Sequence, residues 1–184
     1  MSLRWEWRTF GDDLGSGESR LRLLDPERVT ESDETYLLSA RGLDAVKVRD
    51  GLMDVKHLER VDDDGLELWK PVLKSPLPLT AADARVVLAA LHAPVASLER
   101  GAYDLADLAD GAALVVEVHK SRRHFSLGGC MAELTDVRAA GCSTRTIAIE
   151  SEHPTRVVAA VIELGFDPRP NVSVPRGLKA LVAR

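Results

Sequence analysis

Hydrophobic and polar residues alternate over several segments of this chain, which is the pattern of half-buried β-strands. The first such segment places Arg4, Glu6 and Arg8 on one face and Trp5 and Trp7 on the other. Further strands are predicted over residues 34–40, 45–49, 52–61, 66–72, 113–127, 130–137 and 144–150. About eight strands with few strand-helix-strand alternations favour an antiparallel sheet. The predicted fold class is therefore α+β.

Helices are predicted between and after these strands. Thr80 stands where an N-cap is expected, three residues before Asp83, so a helix is predicted over 80–91. A short helix is expected over 97–108, a longer amphipathic helix over 154–164 closed by Gly165, and a last one in the apolar tail. Residues 11–19 are rich in Gly, Asp and Ser and are expected to form a loop, and the polar residues after them a surface helix or irregular structure.

Length and composition indicate one globular domain spanning residues 1–184. The hydrophobic fraction is 45% and the charged fraction 29%, which excludes a disordered chain, and no apolar run is long enough to span a bilayer. The N-terminus lacks the pattern of a secretion signal, so we expect a cytoplasmic protein with no membrane partner. The two cysteines, Cys130 and Cys142, cannot form a disulfide framework and are expected to pack in the interior.

Charge is the informative feature. The net charge of −5 argues against a generic nucleic-acid binder, so we expect no nucleic-acid partner. Cations nevertheless recur along the predicted strands, at Arg4, Arg8, Lys47, Arg49, Lys56, Arg60, Lys120, Arg122 and Arg123. Such rows are often solvated sheet surfaces, but like charges side by side across a sheet repel. A bound polyanion would explain their concentration, since Arg and Lys match phosphate oxygens in charge and geometry.

Carboxylates on the same strands add a second kind of chemistry. Mg²⁺ and Mn²⁺ prefer oxygen ligands and bridge carboxylate to phosphate. Candidate ligands are Glu6, Glu133, Asp136, Glu150 and Glu152. Only Glu6, between two tryptophans, stands in a context that favours function over a solvated surface acid.

With these features the chain resembles the CYTH family, also called triphosphate tunnel metalloenzymes. That family has an eight-stranded antiparallel barrel that forms a tunnel, and it opens with an E-x-E-x-K strand. Here the segment R-W-E-W-R occupies the equivalent place, so Glu6 matches the second acid and Arg8 replaces the lysine. The resemblance implies a closed or nearly closed eight-stranded barrel with flanking helices.

The resemblance also implies roles for particular residues. The segments AVKVRD, MDVKHLER and HKSRRHFSL are similar to the basic strands of the family, which would make Lys47, Arg49, Lys56, Arg60, Lys120, Arg122 and Arg123 ligand contacts. Arg8, in the place of the lysine of the opening strand, would be a further contact. Glu6, Glu133 and Glu150 would hold Mg²⁺ or Mn²⁺. Two expected acids are replaced, since the opening motif begins with Arg4 and the strand that should carry alternating acids reads Thr146, Ala148, Glu150.

Three functions follow as alternatives. A metal-dependent enzyme would bind and hydrolyse a small triphosphate-containing compound, inorganic or organic. A divergent tunnel would bind such a phosphate ligand, as a sensor or sequestering module, without turning it over. In the third alternative the charged sheet is only a solvated or partner-binding surface.

Overall fold

The computed structural model describes residues 2–95, 98–166 and 169–183 of the chain. Within these residues it has eight strands: β1 (Arg4–Gly11), β2 (Arg28–Ser39), β3 (Ala45–Arg49), β4 (Leu52–Val61), β5 (Glu67–Pro76), β6 (Ala113–Leu127), β7 (Cys130–Ala139) and β8 (Cys142–Ser151). The same residues form five helices: α1 (Gly15–Arg22), α2 (Ala81–Ala90), α3 (Leu105–Ala109), α4 (Pro154–Leu164) and α5 (Val174–Val182).

The strands close into one barrel. Their order around it is β1-β5-β4-β3-β2-β6-β7-β8, each neighbouring pair is antiparallel, and β8 returns to β1. From β2 to β5, each strand pairs with the next one along the chain, and the same is true from β6 to β8. Most neighbouring strands of the barrel are therefore also consecutive in the sequence. The predicted α+β class and the closed eight-stranded barrel are both confirmed.

The alternation of each strand separates a charged interior from an apolar exterior. On β1, Trp5 and Trp7 point outwards and are buried together with Val157 and Val161 of α4, whereas Glu6 and Arg8 line the interior. Helices α2 and α3 cover a second apolar patch that includes residues of β2, β3 and β4. The main hydrophobic clusters therefore lie between the barrel wall and the helices, which leaves the interior free for polar side chains.

Helix α5 closes one end of the barrel. Its Leu178 and Leu181 are buried against Tyr36 and Leu38 of β2 and against inward residues of β6 and β7. Gly177 lies against the ring of Phe10, where even a Cβ atom would overlap the ring. The interior is therefore a tunnel with an apolar plug at one end.

The side chain of Asn171 links β1 to the chain just before β5, beyond the point where these two strands stop pairing. The pairing of β1 with β5 extends only from Arg4 to Glu6. Beyond it, Asn171 Oδ1 accepts a hydrogen bond from the Arg8 amide at 2.7 Å, and Nδ2 donates to the carbonyls of Glu6 at 3.1 Å and Gly65 at 2.9 Å. This side chain substitutes for backbone hydrogen bonds that a longer β1-β5 ladder would make.

Most predicted elements are confirmed, several with their bounds. The strands at 45–49, 52–61 and 113–127 and the helix at 154–164 match, and Thr80 caps α2 by accepting a hydrogen bond from the Asp83 amide. Several predictions were wrong in extent, among them the strand predicted over 66–72, which is observed as Glu67–Pro76. Strand β2 begins at Arg28, because it pairs with β6 over its whole length. Helix α1 begins inside the loop predicted over 11–19 and continues into the polar residues after it, where tertiary packing buries Gly17 and Leu21.

Another difference concerns the helix predicted over 97–108. The structure has only α3 there, and residue 97 lies outside the described residues. Cys130 is buried and Cys142 half-buried, and both thiols are free. Among the described residues, no helix combines the length and the apolar character needed to cross a membrane.

Replacing Asn171 by alanine should destabilise the barrel by about 2–4 kcal/mol, because the Arg8 amide and two carbonyls lose their partner together. Urea denaturation followed by tryptophan fluorescence measures the difference. The exposed Thr155 of α4 gives a matched control, since T155A should change stability by less than about 0.5 kcal/mol. Equal stability of the two variants would contradict the role of Asn171.

Candidate functional site

The tunnel encloses a cavity of about 610 Å³. Its charged lining residues are the cations Arg8, Arg28, Lys47, Arg49, Lys56, Lys120 and Arg122 and the acids Glu6, Glu27, Asp54, Glu133 and Glu150. Val174 and Pro175 at the start of α5 form part of the floor. A cavity of this size lies within the range of small-molecule sites.

Glu34 of β2 organises the cations of one wall. Its side chain is fully buried, and its Oε1 lies 2.6 Å from Arg122 Nη2, 3.3 Å from Lys47 Nζ and 3.5 Å from Arg49 Nη1. Its Oε2 lies 3.0 Å from Lys120 Nζ. One carboxylate thus faces four cations that come from β3 and β6, on either side of β2 in the barrel.

Tyr36 completes this cluster on the side of the plug. Its hydroxyl donates to Glu34 Oε2 at 2.9 Å and accepts from Lys120 Nζ at 2.7 Å. The Nζ atoms of Lys120 and Lys47 lie 4.7 and 5.8 Å from the centre of the Tyr36 ring. The aromatic face therefore adds a favourable cation-π contact to charges that would otherwise repel one another.

Burial and charge act in opposite directions on this cluster. Burial would raise the pKa of Glu34, but Lys120, Lys47 and Arg122 hold it well below its usual range. Burial lowers the pKa of Lys120 to about 7 although Glu34 opposes the shift, and burial lowers the pKa of Lys47 as well. Glu34 therefore stays ionised near neutral pH, whereas Lys120 changes its charge in that range.

Arg8 of β1 occupies the opposite side of the cavity. Its Nε donates to Glu6 Oε1 at 2.9 Å, and its Nη1 donates to Thr146 Oγ1 at 3.4 Å and lies 3.7 Å from Glu133 Oε1. Burial would lower the pKa of Arg8, but Glu6 and Glu133 raise it above its ordinary value. Arg8 is thus a permanent cation between two carboxylates.

Glu133 is held from a second direction. Its Oε1 accepts a hydrogen bond from Thr135 Oγ1 at 2.6 Å, and its Oε2 lies 3.7 Å from Arg122 Nε and 3.9 Å from His124 Nδ1. Burial would raise the pKa of Glu133, but Arg8, the hydrogen bond from Thr135 and the charge of Arg122 lower it. Glu133 therefore connects the Arg8 side of the cavity to the Glu34 cluster.

The three acids predicted to hold a metal line the cavity without forming a ligand group. Glu150 stands opposite Glu6 in the β1-β8 ladder, and burial together with the charge of Glu6 raises its pKa. Ala148, which contributes no ligand, lies opposite Arg8 and Glu133 on the neighbouring strands. In the part of the chain that the structure describes, no three His, Cys, Asp or Glu side chains are placed to hold a metal ion.

The predicted cations divide into two sets. Arg8, Lys47, Arg49, Lys56, Lys120 and Arg122 line the cavity as expected. Arg60 does not, because the β4-β5 ladder shifts register between Leu58 and Arg60 and turns its guanidinium to the outer face, 4.9 Å above the Trp5 ring. Arg123 also points outwards, as the neighbour of inward Arg122 must, and pairs with Asp136 at 3.5 Å.

Several residues of the cavity and of the cluster behind its wall lay outside the sequence prediction. Glu34 lies in a predicted strand without a predicted role, although its alternation with Tyr36 places both on one face. Arg28 was missed because β2 begins earlier than predicted. His124 was assigned no role, yet it alternates with Lys120 and Arg122 and its Nε2 lies 3.0 Å from Thr30 Oγ1. The alternation of side chains along β2 and β6 was the signal that could have identified these residues.

The substitution E34Q should lower the free energy of unfolding by about 3–5 kcal/mol, because it leaves four buried or half-buried cations without their shared counter-charge. Urea denaturation at pH 7 measures this loss. D136N removes a carboxylate from an ion pair on the outer face and should cost less than about 1 kcal/mol. Similar effects of both variants would contradict the central role of Glu34.

Comparisons with known proteins add information about the fold. No protein-family model and no curated protein matches the chain. A conserved hypothetical protein from Pyrococcus furiosus has a similar structure, with a TM-score of 0.54 and 16% identity over 97% of this chain and 99% of that one. A Bacillus halodurans protein described as a candidate adenylate cyclase has a TM-score of 0.51 and 13% identity, over 95% of this chain and 97% of that one.

A Hippeastrum protein described as a candidate adenylyl cyclase with a dominant triphosphatase activity has a TM-score of 0.48, with 14% identity over 90% of this chain and 88% of that one. Only the two likenesses above a TM-score of 0.5 bear on the fold. Together with the closed antiparallel barrel, they confirm the architecture that the resemblance implied. The chain therefore shares the fold of these two proteins, a closed antiparallel barrel.

Proposed function

We propose that the protein binds a small triphosphate-containing anion inside the tunnel. The observation that carries the proposal is the cluster of Lys47, Arg49, Lys120 and Arg122 around the buried carboxylate of Glu34, on the wall of a cavity closed at one end. Cations held in place by buried contacts form a preorganised site, so little conformational entropy is lost when an anion binds.

The geometry favours a chain of phosphates over a single anion. Cations line the cavity from Arg28 on β2 through Arg122 and Arg49 to Lys56 on β4, and Arg8 faces them from β1. Guanidinium groups make paired hydrogen bonds to phosphate oxygens, and these bonds are stronger in a desolvated cavity than in water. An extended polyanion could contact several of these groups at once, whereas orthophosphate would contact few.

Hydrolysis of the bound ligand is the enzymatic form of this proposal. Phosphoryl transfer depends mainly on positioning and on neutralising charge, which the cation cluster supplies. Release of orthophosphate from tripolyphosphate, measured with Mg²⁺, with Mn²⁺ and with EDTA, tests this form directly. Product formation that E6Q abolishes would support a metal-dependent triphosphatase, and product formation unaffected by E6Q would contradict it.

Binding without turnover is the second candidate. It is favoured by the position of Arg8, which engages two of the carboxylates predicted to hold a metal. Tight tripolyphosphate binding with no orthophosphate released over several hours would support a sensor or sequestering module. Steady release of orthophosphate would exclude this candidate.

The substitution R49Q should weaken tripolyphosphate binding by about tenfold or more, because it removes a charge-assisted contact from the half-buried wall of the cavity. Isothermal titration calorimetry measures the dissociation constant. R123Q is the matched control, since Arg123 carries the same charge on the outer face, and it should change the constant by less than about twofold.

Two results would contradict the assignment of the site. If R123Q weakened binding as much as R49Q, the ligand would respond to overall charge and not to the tunnel. If tripolyphosphate did not bind the unmodified protein at all, the proposed function itself would be wrong. The third alternative, a solvated or partner-binding surface, would then remain.

Binding should also depend on the charge of Lys120. Because its pKa is lowered to about 7, Lys120 loses its proton between pH 6 and pH 9, and affinity should fall as pH rises through this range. Over this pH range, the affinity of the unmodified protein should fall at least about tenfold more than the affinity of K120M, which lacks this charge at every pH. Titration calorimetry of both proteins measures it, and the ligand's own protonation affects both alike. Parallel pH profiles would contradict the prediction.

A further inference from the structure

Arg8 is placed where it competes with a metal ion for the acids of the cavity. Its guanidinium contacts Glu6 and Glu133, and Thr146 accepts a hydrogen bond from the same Nη1 atom. The side chain of Arg8 is only 10% exposed. The guanidinium is therefore held by side chains of three strands, with a carboxylate from β1, a carboxylate from β7 and a hydroxyl from β8.

A divalent ion does not fit this arrangement. Mg²⁺ in phosphate sites is held by one or two carboxylates together with oxygens of the bound phosphate. Here the two carboxylates closest to Arg8 already neutralise a buried cation, so a metal ion would have to displace it or lie beside it. On β8 the residue opposite Arg8 is Ala148, which supplies no negative charge, and the one remaining acid of this strand in the cavity lining, Glu150, stands opposite Glu6.

The same guanidinium retains hydrogen-bonding capacity towards the cavity. Arginine has five N–H donors, and the hydrogen bonds of Arg8 to described side chains use Nε and Nη1. Arg8 also lines the cavity, opposite the cations held by Glu34. An anion in the tunnel would therefore lie between two groups of cations without needing a metal to link it to the acids.

We propose that the tunnel binds its triphosphate-containing ligand without a divalent metal, with Arg8 contacting the ligand from the side where Glu6 and Glu133 would otherwise hold an ion. This inference rests on the proposed function and specifies how the same site neutralises its ligand. Arg8 then supplies the positive charge that a bound Mg²⁺ or Mn²⁺ would supply in a tunnel with free carboxylates. Mg²⁺ in solution becomes a competitor, because it binds free tripolyphosphate and lowers its charge.

The test is a calorimetric titration of the protein with tripolyphosphate in EDTA and in excess Mg²⁺. The inference predicts full binding in EDTA and an equal or weaker apparent affinity in Mg²⁺. Binding that requires Mg²⁺ would overturn the inference and leave the proposed function standing. Absence of binding in both conditions would instead overturn the proposed function.

A second measurement concerns the metal alone. The electron paramagnetic resonance signal of free Mn²⁺ should keep its amplitude when the protein is added without phosphate, because Arg8 holds the acids. Loss of the free signal at micromolar protein would show a metal site in the unliganded tunnel and overturn the inference.

The substitution R8Q completes the test. It should weaken tripolyphosphate binding in EDTA by about tenfold or more, whereas R123Q on the outer face should leave it within about twofold of the unmodified protein. Circular dichroism spectra and thermal unfolding of both variants verify that they fold. If folded R8Q bound tripolyphosphate in EDTA as tightly as the unmodified protein, Arg8 would not contact the ligand and the inference would fail.

Discussion

The arrangement of charges inside this barrel depends on the ion pairs that the buried carboxylate of Glu34 makes. Lys47, Arg49, Lys120 and Arg122 would repel one another in a space of low dielectric, and Glu34 gives all four a shared counter-charge. Because these cations come from the strands on both sides of β2, the same contact also holds β3, β2 and β6 in register. Stability and the capacity to bind an anion thus share one residue.

A charged interior is compatible with folding because the apolar residues are buried elsewhere. The outward faces of the strands pack beneath α2, α3 and α4, and an apolar cluster fills the end of the interior that α5 closes. Burial of these faces supplies the hydrophobic driving force that the barrel interior cannot supply. Because α5 closes one end, the cavity has an inner end against which a small ligand can be held.

Strand alternation made the fold and most of the cavity lining predictable from the sequence. It placed Glu6 and Arg8 opposite the tryptophans of β1 and found the inward cations of β3 and β6. It failed at Arg60, because a register shift before this residue moves its side chain to the other face of the sheet. No residue type in the segment indicates that shift. It could not identify Glu34 as the central residue, because a single acid in a strand has no motif, and its importance depends on neighbours brought together by the barrel.

A crystal structure of the protein grown with tripolyphosphate and EDTA would test the central claim most directly. The account predicts phosphate oxygens within hydrogen-bond distance of Arg49 and Arg122 on one wall and of Arg8 on the other, with Glu34 still bound to its cations. A ligand seated on the outer face beside Arg60 or Arg123, or a cavity that excludes the anion while the crystals contain it elsewhere, would contradict the account.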